Sequence, residues 1–88
     1  MARRKKQEIL KERFNVIRDH VDSLDDEIKM DLWQMIYDRE ETHLECSGLK
    51  YSDDIPLIDR LCIYQDCCEQ FGIKVDRYFK IVKNKKSI

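Results

Sequence analysis

"CIYQDCC", Cys62 to Cys68, places three of the chain's four cysteines within seven positions. Read as a metal or redox cluster, the stretch belongs to a small loop-rich scaffold. Read as an apolar turn of helix, it belongs to an all-α protein. Structural zinc asks for ligands converging from compact knuckles, two cysteines separated by two to four residues. At about 100° per residue, Cys62, Cys67 and Cys68 are splayed around a helix axis rather than gathered on one side. A bridge between the neighbours Cys67 and Cys68 would be strained. Cysteine is also among the most frequently buried residue types and packs as a small hydrophobe. The stretch therefore reads as packed helix carrying free thiols, which suits a reducing, cytoplasmic setting.

Around it the chain divides readily, because it contains only two glycines and one proline. Upstream of Cys62, Leu57 and Leu61 continue through Tyr64, Cys68 and Phe71 as one side of a helix from about Pro56 to Gln70, broadened by Ile58, Cys62 and Ile63. "CSGLKYSDDIP", residues 46–56, is the principal loop, with Gly48 as helix stop and Asp53 or Asp54 as a cap ahead of Pro56. Before the loop, "DSLDDE" opens another helix, with Ser23 as N-cap and Asp26 at the third position. This helix, running to about Leu44, has two apolar stripes: Ile28, Leu32, Met35 and Ile36 on one side, and Met30, Trp33 and Tyr37 on another. The clearest periodicity comes first: Leu10, Phe14, Ile17, Val21 and Leu24 form a continuous helical seam, able to fill a core or to zip a homodimer. After Gly72, Val75, Tyr78, Phe79 and Val82 stand at helical spacing and predict a short fourth helix. The expectation is a single all-α domain over residues 1–88, a compact bundle of three longer helices and one short C-terminal helix. A basic arm at residues 1–6 and a basic tail at residues 83–88 flank it.

Charge is unevenly distributed along the chain. Residues 1–18 carry seven basic and two acidic side chains, residues 19–54 three and twelve, and residues 55–88 seven and four. No apolar run reaches the roughly 18–20 residues that a membrane span needs, and the basic start lacks the apolar stretch of a signal peptide. The basic ends, including Arg3, Arg4, Lys5, Lys6, Lys80 and Lys83, suit contact with nucleic-acid phosphates. The acidic middle suits a basic protein surface.

Catalytic chemistry finds little support. Glycine-rich phosphate loops are absent, and any Cys–His–acid triad would have to be assembled arbitrarily. Glu40-x-x-His43 has the spacing of one half of a di-iron site, but the chain offers no second copy of it. A cysteine–histidine site made from His43, Cys46, Cys62 and Cys67 or Cys68 is the remaining metal alternative. The expectation is thus a non-enzymatic protein without a cofactor, acting by binding. Met30, Trp33, Tyr37, Asp38 and Glu41 form the candidate partner face, since aromatic anchors within a polar rim favour protein recognition.

"DIPLIDRL" and, from Cys68, "CEQFGIKVDRYFKIV" resemble the late-transcription coactivator family of tailed phages. The resemblance covers residues 54–82, with Ile58, Leu61, Ile73, Val75 and Phe79 on the family's apolar pattern. It implies a small helical protein that docks on RNA polymerase and links it to the sliding clamp. In that family the clamp contact uses an acidic, hydrophobic C-terminus, whereas residues 83–88 read KNKKSI.

Overall fold

The first apolar seam forms α1 (Lys6–Asp22). The computed structural model describes residues 6–82. Phe14, Ile17 and Val21 are buried, and Leu10 and Leu24 pack at the margins of the same core. The seam is therefore consumed inside the monomer. Burying each of these side chains stabilises the fold by roughly 1.5–3 kcal/mol.

Ser23 ends α1 instead of starting the next helix. Its N–H bonds the carbonyls of Asp19 and His20, and its hydroxyl donates to the His20 carbonyl at 2.6 Å. With those bonds facing backwards, the N-cap passes to Asp25, and α2 spans Asp26–Ser47. Asp26 and Glu27 occupy its first turn, where carboxylates complement the helix dipole. The helix extends a turn beyond Leu44. Gly48 closes it at φ +71°, and the Leu49 N–H reaches back to the Leu44 carbonyl at 3.0 Å.

A one-turn 3-10 helix, Ser52–Asp54, leads through Pro56 into α3 (Leu57–Gln70). Leu61, Tyr64, Cys67 and Cys68 are buried along α3 and meet Leu32 and Ile36 of α2 and the α1 seam in one apolar cluster. The helix prediction for "CIYQDCC" holds. Two of its three thiols are core groups, while Cys62 is exposed.

The expected fourth helix does not form. Gly72 turns the chain at φ +82°, and residues 73–82 make an extended turn closed by an isolated antiparallel bridge between Val75 and Ile81. The Asp76 carboxylate explains the departure. It accepts the backbone N–H groups of Tyr78 at 2.8 Å and Lys80 at 2.9 Å, while the Phe79 N–H bonds the Asp76 carbonyl. Such local bonds compete directly with helix, and a segment this short has little helical stability of its own. Phe79 adopts φ +64°, a left-handed conformation that no helix contains. Gln65 of α3 then clasps the turn, its amide donating to the carbonyls of Val75 and Asp76 at 3.1 and 2.9 Å. Val75 thereby enters the core.

Candidate functional site

Met30, Trp33 and Tyr37 share one face of α2 because they are three and four residues apart. Met30 is 70% exposed and Tyr37 57% exposed, whereas Trp33 is half-buried and packs against the core. The indole N–H of Trp33 donates to Asp22 Oδ1 at the end of α1, 3.1 Å away. Its ring stacks on Tyr37 with centroids 5.7 Å apart and meets the buried Tyr64 edge-on at 5.8 Å. Two aromatic contacts and a hydrogen bond hold the indole in one orientation. Its exposed neighbours Met30 and Tyr37 extend the apolar surface outward.

Asp38 and Glu41 are both exposed, on the same helix. Asp38 accepts a hydrogen bond from the Gln34 side-chain amide at 3.0 Å, so its orientation is supported from within α2. The surface is a rigid aromatic floor with exposed apolar flanks on an acidic helix.

The second α2 stripe is shared between core and surface. Leu32 and Ile36 are fully buried, Met35 is half-buried, and Ile28 is exposed. Four residues beyond Ile36 the stripe runs into Glu40, which is 2% exposed. Its partner is Arg60 of α3, whose Nε donates to Glu40 Oε2 at 3.0 Å. The same guanidinium lies over the Phe14 ring of α1, 4.7 Å from the centroid, and reaches Asp53 at 3.5 Å. The Glu40-x-x-His43 spacing gave no hint of this pairing. The readable signal was its place on the Leu32–Ile36 stripe, which puts a carboxylate where only a paired one can be buried.

The metal alternative is not assembled. Among the described residues no group of three or more His, Cys, Asp or Glu side chains converges in a way that could hold an ion. His43 faces Asp59 at 3.7 Å, Cys46 and Cys62 are exposed, and Cys67 is buried in the core. Burial pushes the Cys67 thiol up to about 11, only partly opposed by the positive charge of Arg39. Burial also pushes Cys68 up to about 11, and partial desolvation and then Asp59 raise Cys62. Protonated thiols are poor ligands and poor nucleophiles. Tyr64 is raised to about 12, first by burial and then by Glu40.

Of the basic candidates, Arg3, Arg4, Lys5 and Lys83 lie outside the described residues. Lys6 and Lys80 line two grooves that meet at shared residues Arg13 and Phe79. Lys6 is the first residue of α1. Folding thus brings basic groups from both ends of the chain to one region, which their sequence positions did not disclose.

No protein-family model, no curated protein and no solved structure matches the chain. Among the described residues no helix is long and apolar enough to cross a membrane.

Proposed function

We propose that this all-α protein is a non-enzymatic adaptor whose α2 face docks on a basic surface of a larger protein complex. The observation that carries the reading is the fixed Trp33 ring between two exposed apolar side chains on an acidic helix. A preoriented aromatic anchor limits the ordering entropy that binding must overcome, and surrounding carboxylates select a partner of opposite charge. Transcription machinery is the partner named by the resemblance over residues 54–82. The absence of helix over residues 73–82 removes one element of that likeness, so the proposal rests on the α2 surface first.

The test uses Met30→Ser and Tyr37→Ser together, because both side chains are largely exposed and their loss leaves the core intact. Immobilised protein should retain purified RNA polymerase, or another host complex, in a salt-dependent manner. The double variant should retain at most about a tenth as much, as expected for loss of a central interface contact. Equal retention by a folded double variant would rule out α2 as the docking face.

A further inference from the structure

We infer that the groove between α1 and the Val75–Ile81 turn binds an acidic, amphipathic segment of a partner protein, as a second docking surface distinct from the α2 face. The groove has a volume of about 760 Å³ and is built without any residue of α2. Its apolar lining includes Val16, Ile73, Ile81 and Val82, with Val16 50% and Val82 42% exposed. Arg13, Lys74 and Lys80 supply its cations, and Asp19 is the one acid in its lining. Branched aliphatic walls with a basic rim match a segment that alternates apolar side chains with carboxylates.

Arg13 strengthens the assignment. The side chain borders both open grooves and brings its charge to their junction, while its Nε, buried and without a hydrogen-bond partner among the described residues, lies out of reach of a groove ligand. A guanidinium donates in a planar fork that a carboxylate fits. The nearby Asp76 hydrogen-bonds the backbone of its own turn, chiefly the Lys80 N–H and then that of Tyr78, and these bonds, followed by the charges of Lys80 and Arg13, hold its carboxyl below the usual range. Beyond Arg13 and Phe79 the smaller groove continues the pattern with Lys6 and Arg77 beside Ile9 and Tyr78.

Charge and shape select the occupant. The sequence KNKKSI of residues 83–88 carries the same sign as the rim and so lacks the charge complementarity an occupant needs. A single-stranded nucleic acid would supply phosphates, but its bases need flat faces on which to stack. The rings in this groove's lining, His20 and Phe79, are both half-buried, and the rest of its apolar wall is the branched side chains of Val16, Ile73, Ile81 and Val82. The side chains of an amphipathic peptide would instead fill the apolar lining while its carboxylates meet Arg13, Lys74 and Lys80.

The probe is a fluorescein-labelled amphipathic peptide of four helical turns, with leucine on one face and glutamate on the other. Anisotropy titration with the full chain should give saturable binding that weakens with salt. Lys74→Glu with Lys80→Glu should reduce affinity by roughly tenfold or more, since it reverses two rim charges. Val16→Asp should also reduce it, whereas Met30→Ser with Tyr37→Ser should leave it unchanged. The two docking surfaces therefore stand or fall separately. Equal binding of a control peptide with serine for leucine, tighter binding of oligo-dT, or no saturable signal with folded protein would overturn the inference. Self-association abolished by Lys74→Glu with Lys80→Glu would also overturn it, by making a second copy the occupant.

Discussion

Arg60 of α3 donates its Nε hydrogen to the Glu40 carboxylate of α2 at 3.0 Å while its guanidinium covers the Phe14 ring of α1 at 4.7 Å. One side chain thus touches all three helices. The carboxylate is 3% exposed and the arginine side chain 17%, so solvent screens the pair only slightly. Its strength lies in the cost of breaking it: a buried charge left alone is far less favourable than a buried pair.

Glu40→Ala should consequently destabilise the protein by about 3 kcal/mol, the lower end for removing one member of a buried pair, because Arg60 retains some access to water. Glu40→Met combined with Arg60→Met should recover much of the loss. Urea unfolding followed by circular dichroism measures both. Additive destabilisation in the double variant would show that the two side chains act separately.

Trp33→Ala should cost about 3 kcal/mol, since it removes a large half-buried ring together with its contacts to Tyr64 and Asp22. Tyr37→Ser should cost less than about 1 kcal/mol, as its side chain is largely exposed. Thermal unfolding of the two variants separates the role of Trp33 in the core from the role of Tyr37 at the surface. Similar midpoints would contradict this division.

Thiol chemistry should divide the cysteines in the same way. A disulfide reagent should react in the native protein with the exposed Cys46 and, more slowly because its thiol is raised, with the exposed Cys62, and with Cys67 and Cys68 only after unfolding. Mass mapping of the labelled positions checks the order. Above the ordinary thiol range the unfolded state loses protons while Cys67 and Cys68 stay neutral up to about 11. Unfolding then releases protons, so stability falls as pH rises between about 9 and 11, by about 1.4 kcal/mol per unit for each buried thiol.

Asp76 predicts a change in the opposite direction on the pH scale. Its folded carboxyl lies below the usual range, so its contribution is fully present above the unfolded value of about 4 and is lost as pH falls through the depressed folded value. Amide exchange at Tyr78 and Lys80 should accelerate over that acidic window. Asp76→Ala should accelerate it at neutral pH as well. Unchanged protection of both amides in this variant would remove Asp76 as the organiser of the turn.

The sequence by itself determined three helices, because the periods of Leu10–Leu24, Leu32–Ile36 and Leu57–Phe71 record which sides must leave water. It also contained the reading of "CIYQDCC" as helix, since the angular spread of the thiols follows from helical geometry alone. Tertiary structure decided part of the fate of residues 73–82: apolar spacing there suited a helix and the Asp76 carboxylate competes with it locally, but it is Gln65 of α3 that clasps this backbone as a turn. It also decided the pairing of Glu40 with Arg60 and the meeting of Lys6, Arg13 and Lys80 around two joined grooves. Those relationships join positions far apart in the chain, and local periodicity carries no information about which distant side chain will neutralise a charge or border the same groove.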